Sequence, residues 1–565
     1  LALVRQANPP LAGGREWRMV IAAMTVAAFF WSTIRVILAA IIAIGVWHRL
    51  SLLWRRWRVG REGETEAERA EVATSRDQRL PSVTLQLPIY NERFVVSRLL
   101  EAVGKLDYPR DRLQIQVLDD SEAGDGTRDA VDVAVEKLHQ QGWEIEVRRR
   151  QERIGYKAGA LQAGLSSASG ELVAILDADF VPQEDFLRRL VTCLEAPDGR
   201  RAGMVQARWG FLNANQNWLT RVQAWFLDAH FRIEHAARWG SGCCFNFNGT
   251  AGIWRRECID DAGGWQGDTL TEDLDLSYRA QVKGWRFIYA DEVVVPSELP
   301  SSWTAFKNQQ FRWAKGATQV ARKLMTTIWG AESQLTRRAK WEATLHLTSQ
   351  AAYLVVPVLL LAGAMASLLG AWPGDGTGSL LRCAGGSAML VALAFFSAVL
   401  FLPGPRRAFK CRDGLALLLT VPVAISLAIS NSRAVVEGWL GHQSPFERTP
   451  KTGGESPHGV CAKQLRYPSP GRAIWSEIEL ICGLALLAGL VFSLLRGTSD
   501  LLEILLVLPI VIGFLWCGLA SLIEHFSQSE KRRERPADAL GVATGDGASL
   551  RDQSEKRADI SPSQI

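Results

Sequence analysis

Organised cysteine is what this chain most plainly lacks. Its nine cysteines are scattered over 565 residues without metal-ligand spacing, and Cys243 and Cys244 stand side by side rather than as a C-x-x-C pair. A structural zinc module and a disulfide-stapled fold are excluded on that ground, and reduced thiols in a cytoplasmic domain are expected. A dominant charge sign is missing too. The net charge is +5, and no basic stretch interleaves with aromatic residues in the manner of a nucleic-acid groove, so no nucleic acid is expected as a partner. Histidine is sparse, and His230 and His235 lack a companion at metal-ligand spacing; both read as structural or substrate-edge residues. No cleavable signal peptide is evident.

Long apolar runs are abundant by contrast. Apolar residues make up 48% of the chain and charged residues 22%, yet the two are segregated. Runs of about 20 apolar residues, enough to cross a bilayer, flank a charged, motif-rich middle. This pattern predicts a membrane protein with one large water-facing domain. Met19 to Trp47 is the first span. Arg35 inside it must face protein or water, because a mid-span arginine costs roughly 2.5–3.5 kcal/mol on insertion scales. Trp54, Arg55, Arg56, Trp57 and Arg58 read as an interfacial anchor completing residues 1–60, and 61–80 as a charged linker. Further spans are expected at 343–370, 380–403, 474–497 and 501–526. Basic residues lie before 415–441 (Arg406, Arg407, Lys410, Arg412) and after the last span (Lys531, Arg532, Arg533, Arg535). The positive-inside bias puts both groups on one side, so 415–441, with Pro422 inside it, enters or lies along the membrane without crossing. That makes five spans in all, the last four of them forming, with the interfacial segment, a bundle over 336–526. The middle domain, the loop 442–453 and a disordered polar tail, 527–565, face the cytoplasm. The host is a bacterial-type inner (plasma) membrane or a Golgi-type membrane.

From residue 81 to 335 short apolar strands alternate with amphipathic helices, the pattern of an α/β domain with a mainly parallel sheet. Residues 83–87 form a strand that stops at Pro88, Tyr90 and Glu92; 113–118 form another that ends in Asp119 and Asp120. A third, 171–176, ends in Asp177 and Asp179, two carboxylates that alternation along a strand lets point the same way. Ligands of open α/β sheets collect at the carboxyl ends of strands. Two converging carboxylates there suit Mg²⁺ or Mn²⁺ together with substrate phosphates.

Four further groups stand out. Lys157 falls in the first turn of a helix, beside unpaired N–H groups that favour a phosphate. Phe245 to Gly252, containing Asn248, Gly249 and Thr250, is a glycine-rich turn whose aromatics offer a lip for a sugar. Thr269 to Asp275 opens a helix with a capping-box pattern; capping can account for Thr269, Glu272 and Asp275, which leaves Asp273 for chemistry. On the helix from 303 to 324, Gln309, Arg312 and Trp313 share one face. They present an amide, a guanidinium suited to a pyrophosphate and a flat indole for a sugar ring.

Together these pieces carry a resemblance. PIYNER, IQVLDDS, GYKAGAL, LDADF, MVQARWGF, FNGTAG, TEDLDL, KGWRFIY, ELPSS and QQFRWAKG occur in that order between residue 83 and about 325. The domain resembles a family 2 glycosyltransferase of GT-A fold, in the branch of processive β-glycan synthases. It is similar to cellulose synthase and closer to the plant cellulose-synthase-like mannan synthases. Phe446, Arg448, Thr449 and Lys451 resemble the F-x-V-T-x-K gating loop, with Arg448 in place of valine. The FNGT turn is nearer the mannan-synthase form than the cellulose-synthase F-F-C-G-S. The resemblance implies that Tyr90, Glu92 and Asp119 or Asp120 contact the base and ribose of a nucleotide sugar. Asp177 and Asp179 would hold the diphosphate through Mg²⁺ or Mn²⁺, and Asp273 would be the general base of an inverting transfer. Gln309, Arg312 and Trp313 would hold the growing chain and the diphosphate; Asn248, Gly249, Thr250 and Glu272 belong to the same acceptor region. The implied partners are UDP-glucose or GDP-mannose, a growing β-linked polysaccharide and the membrane. Two other readings are a non-processive transferase acting on a membrane lipid and a sugar-nucleotide-binding partner without catalysis. Intact Asp273 and Q-x-x-R-W speak against the second.

Overall fold

A computed structural model describes residues 14–62, 80–195, 202–359, 376–402, 411–444, 449, 451, 453, 473–495 and 501–533. The central domain is built on seven strands: β1 (Val83–Ile89), β2 (Leu113–Asp119), β3 (Ile145–Arg148), β4 (Leu172–Ile175), β5 (Ala202–Phe211), β6 (Gly252–Arg255) and β7 (Arg286–Ser297). They form one sheet in the order β3-β2-β1-β4-β6-β5-β7. β1 runs parallel to β2 and β4, β2 to β3 and β5 to β7, whereas β6 is antiparallel to β4 and β5. This is the mainly parallel, GT-A-like sheet expected. Both of its faces are covered, and the polar residues that β1 and β2 bury on one of them bond to each other, Thr84 to Gln114 at 2.8 Å and Gln86 to Gln116 at 3.1 Å. Val83, Leu85, Leu87 and Ile89 enter one core layer, while Val173, Ile175, Met204 and Trp254 enter the other with Leu161 of helix α2 (Tyr156–Leu165).

Register decides where the site lies. Ile89 pairs with Asp119 at the ends of β1 and β2, whereas β4 stops with Ile175 opposite Gln86. The chain leaving β4 therefore passes over the carboxyl edge of β1, taking Asp177 and Asp179 with it. Helices α3 (Glu272–Val282) and α4 (Trp303–Trp329) follow from the domain's second half.

Among the described residues, four helical stretches are long and apolar enough to cross a membrane: Phe29–Arg58 within α1 (Gly14–Glu62), Cys383–Phe401, Trp475–Phe492 within α8 (Ala473–Leu495) and Ile504–Phe526 within α9 (Leu501–Arg533). The segment expected not to cross is a pair, α6 (Cys411–Ser426) and α7 (Ala428–Leu440), bent by 46° between them. Of 343–370, α5 (Arg337–Thr348) and the 3₁₀ turn Ser349–Leu354 form the start, helix resumes at 355–359, and 360–370 fall outside the described residues. Of the linker 61–80, 63–79 also fall outside them. The tail begins later than expected, since α9 continues to Arg533.

Arg35 is buried, its guanidinium 4.6 Å from the Trp31 ring centroid, as a charge within a span requires. The expected interfacial anchor is different in kind. Trp54 and Trp57 are exposed, but Arg55 donates to Glu342 on α5 at 2.7 Å and Arg56 to the Arg232 carbonyl at 2.7 Å. A buried carboxylate needs partners, and these arginines are spent on the protein rather than on headgroups. Leu52, Trp225, Phe306, Phe395 and Cys517 pack in one cluster, joining α1, the central domain, α4 and the later apolar helices.

Candidate active site

Asp177 and Asp179 are fixed by backbone as much as by side chain. The Asp177 amide donates to Thr250 Oγ1 at 2.8 Å, and its carboxylate accepts from Lys157 Nζ at 2.5 Å. Lys157 lies in the first turn of α2, as expected, yet its ammonium turns to Asp177 and to the Gly249 carbonyl, 2.9 Å away. Asp179, 6% exposed, accepts from the Glu298 amide at 3.2 Å and from Lys451 Nζ at 2.7 Å. Burial pushes the Asp177 pKa up against the opposing pull of Lys157. Burial works against the Lys157 charge as well, but Asp177, Glu272 and Asp273 around it raise its pKa. No group of three ligating side chains occurs among the described residues. Two aspartates at a strand end, each now neutralised by an ammonium, fit a hard divalent cation that draws its other oxygens from a substrate diphosphate.

Asp273 is the second residue of α3. The expected capping box of Thr269 with Glu272 is absent: the helix starts at Glu272, its N-cap is Thr271, and the Thr271 side chain makes no cap bond and lies against Gly316 of α4. Asp273 Oδ1 accepts from the Leu274 amide at 2.8 Å. Burial, and then the adjacent Glu272, push its pKa up to about 7. Burial raises Glu272 too, against the pull of Lys157. Gly249 lies against this carboxylate with φ +81; a Cβ there would stand 3.0 Å from Asp273 Oδ2 and 3.4 Å from Lys157 Nζ. Only glycine meets both the conformation and the close approach. Asp275 is different: it is buried and paired with Arg279 at 2.8 Å and Lys323 at 3.0 Å, a structural carboxylate.

The acceptor-region residues divide. Asn248 donates its amide to Gln206 Oε1 at 2.9 Å, and its side chain meets His235 Nε2 at 2.8 Å and His230 Nε2 at 3.1 Å. Those histidines share one π-helical turn, ring centroids 4.3 Å apart. Burial lowers His235 to about 3 and His230 well below its usual range, so both rings are neutral. Thr250 is buried and occupied with the Asp177 amide. The aromatic lip is not there: Phe245 and Phe247 are turned into the core, against Phe287 and Trp254, because β6 needs its inner face filled.

At the neighbouring strand ends, the Tyr90 hydroxyl donates to Glu122 at 2.7 Å, and the Arg153 guanidinium lies 3.2 Å from the Tyr90 ring centroid. The Glu92 carbonyl accepts from the Val95 and Val96 amides, opening the next helix. Asp119 is buried and held by Arg149 at 2.9 Å and the Ser121 amide, whereas Asp120 pairs with Arg150 and lines a cavity with Arg148 and Arg149. On α4, Gln309, Arg312 and Trp313 are half-buried, and Arg312 donates to Thr449 Oγ1 at 2.7 Å. Thr449 and Lys451 thus both reach the site; Phe446 and Arg448 lie outside the described residues. Sequence reasoning missed Glu298. Its amide holds Asp179, its carbonyl accepts from Lys451 at 2.8 Å, and its carboxylate meets Arg98 at 2.8 Å and the Gly453 amide at 3.2 Å. Its only sequence signal is its place at the head of ELPSS, just after β7.

Residues 81–316 match the family model described as glycosyltransferase-like family 2. Among curated proteins, a probable glucomannan 4-beta-mannosyltransferase 9 of Oryza sativa subsp. japonica is 42% identical over 252 residues, 44% of this chain and 47% of that protein. Glucomannan 4-beta-mannosyltransferase 2 of Arabidopsis thaliana is 43% identical over 251 residues, 44% of this chain and 46% of that protein. The chain thus spans about half the length of the curated relatives it matches. Among solved structures, the mannosyltransferase PcManGT from Pyrobaculum calidifontis, in complex with GDP-Man and Mn²⁺, aligns over 73% of this chain and 100% of its own at 22% identity and a TM-score of 0.46. Residues 81–316 are thus similar to the glycosyltransferase-like family 2 model, and the chain is similar to curated glucomannan 4-beta-mannosyltransferases over less than half of its length.

Proposed function

We propose that this protein is an inverting, metal-dependent β-glycosyltransferase that transfers mannosyl units from GDP-mannose to the hydroxyl end of a growing β-linked glycan at a membrane. The observation that carries the reading is the meeting of Asp273, Lys157, Asp177 and Asp179 at one sheet edge, with the Asp273 pKa at about 7. A carboxylate with a pKa near the working pH is suited to take a proton from an attacking hydroxyl and to keep that function at neutral pH. Lys157, Lys451 and Arg312 present three cationic groups on the same edge, where a leaving diphosphate gathers negative charge. Bound between Asp177 and Asp179, Mg²⁺ or Mn²⁺ would supply further charge stabilisation to that leaving group. The preference for GDP-mannose rests on the two plant relatives, whose names specify mannosyl transfer; each shares about half its length with this chain. The apolar helices beside the domain support action at a membrane and the passage of the product across it.

The reading is tested by incubating purified protein with GDP-mannose and UDP-glucose in parallel and digesting the products with linkage-specific glycanases. It predicts a β-mannanase-sensitive polymer from GDP-mannose. Glucan alone would move the donor to UDP-glucose, and lipid-linked monosaccharide without polymer would make the chain a non-processive transferase.

A further inference from the structure

The last two apolar helices do more than flank the central domain. Gly483 of α8 and Gly518 of α9 let these helices touch: a Cβ at Gly483 would stand 2.8 Å from the Leu515 amide, and one at Gly518 would stand 2.7 Å from Leu480. Next to that contact, Glu479 on α8 is buried, with Cys517 Sγ of α9 3.0 Å from its carboxylate. A carboxylate near the end of a span is costly to bury and calls for a partner. Its partner comes from the central domain: Lys307 Nζ of α4 at 2.6 Å. One turn earlier on α4, Glu524 of α9 accepts from the Trp303 amide at 2.9 Å and from the Thr304 amide at 2.9 Å. These amides belong to the helix N-terminus, where backbone donors lack intrahelical acceptors and a negative charge is favoured.

The closely packed hairpin thus grips the first two turns of α4 at two points, through backbone and through Lys307. The same helix carries Gln309, Arg312 and Trp313 over the next two turns. We infer that Glu479 and Glu524 are positioning residues for glycosyl transfer: the hairpin sets the depth and rotation of α4 and thereby places Arg312 and its neighbours against donor and acceptor. This inference rests on the transferase reading proposed above. It makes the membrane hairpin part of the reaction geometry rather than only an anchor. Neither carboxylate has a local sequence signal, since each meets α4 across more than 170 residues of chain.

The experiment uses the full chain in detergent, with Mn²⁺, and compares wild type, Glu479→Gln, Glu524→Gln and the exchange Lys307→Glu with Glu479→Lys. GDP binding is read by titration calorimetry per binding-competent molecule, so a loss of folded protein alters stoichiometry but not affinity. Transfer from GDP-mannose is read as kcat and KM. Small displacements of a positioning helix cost up to about 10²-fold in rate. We expect Glu479→Gln to lower kcat/KM at least about tenfold and to weaken GDP several-fold through Arg312, with a smaller effect from Glu524→Gln, whose amide oxygen still accepts from the backbone. The exchange should recover part of the Glu479→Gln loss. Wild-type constants in both single variants would overturn the inference, as would an exchange no better than Glu479→Gln. Where Glu479→Gln yields no folded protein, unchanged kcat/KM and GDP affinity in Glu524→Gln decide against it. A wild type that neither binds GDP nor transfers mannose would instead count against the donor reading.

Discussion

At the scale of single residues, the proposed transfer turns on a proton at Asp273. Its pKa, raised to about 7 by burial and by Glu272, lies inside the working range, and only the ionised form accepts a proton. kcat/KM should therefore rise with pH through about 7 and level off above it, as read from a pH–rate profile of the free enzyme. Stability should move the other way. The folded-state pKa lies above the ordinary value of 3.8, so the favourable contribution of the protonated form is full below about pH 4 and is lost as pH rises through 7. Thermal melts should show Asp273→Asn gaining on wild type as the pH is raised from 4 to 8. Gly249→Ala meets two obstacles, a φ of +81 and an approach of 3.0 Å to Asp273 Oδ2. It should lower turnover at least about tenfold while GDP still binds, as an added atom that shifts the base affects the transition state more than the ground state. Asp177, Asp179 and Asp273 were legible in the sequence because each follows an apolar strand or begins a patterned helix. Their partners were not. Lys157 meets Asp177 across 20 residues and Lys451 meets Asp179 across 272, and no local pattern encodes a contact of that span.

At the scale of elements, α4 ties the site together by a ladder of cations. Lys307 reaches α8, Arg312 reaches Thr449, Lys315 reaches Glu437 on α7 at 2.8 Å, and Lys323 reaches Asp275 on α3. Periodicity announced this helix and its Gln309-Arg312-Trp313 face, but the structure extends it to Trp329 and shows what each cation holds. The glycine-rich turn was legible as a turn and misread as a sugar lip. Composition reveals that aromatics are present, whereas the packing of β6 decides that Phe245 and Phe247 point inward. Around Asp179, the amide of Glu298 and the ammonium of Lys451 share one carboxylate oxygen, Oδ2. Lys451→Ala should weaken GDP binding about tenfold in a calorimetric titration, the loss typical of a charge-assisted contact to a phosphate. Unchanged affinity would leave Lys451 as a purely structural partner of Asp179.

At the scale of the molecule, the central domain and the apolar helices are joined by buried charge as well as by packing. Arg221 meets Asp413 of α6 at 2.9 Å, both buried, and Arg55, Arg238 and His48 surround Glu342. Breaking a pair of this kind by removing one member typically costs about 3–5 kcal/mol. The segregation of apolar runs made helices of membrane-crossing length legible, four of them among the described residues. It could not foresee the 46° bend between α6 and α7, which depends on packing against α4 and the 3₁₀ turn at Ser349. If that bent pair enters and leaves on the same side, and the central domain is cytoplasmic as the sequence leads one to expect, His442, exposed just after α7, faces the cytoplasm too. A cysteine at His442 in a background without reactive cysteines should then be labelled by an impermeant maleimide only in opened membranes. Labelling in intact cells would make the pair a full crossing.

The most direct test of the account pairs GDP titration with turnover in Asp179→Asn and Asp273→Asn, each with Mn²⁺ and with EDTA. The account predicts that wild type binds GDP tightly only with the metal and that Asp179→Asn loses this binding. Asp273→Asn should bind GDP as wild type does while transfer falls about 10²–10⁴-fold, the usual loss on removing a general base. Wild-type turnover in Asp273→Asn, or GDP binding indifferent to EDTA, would contradict it.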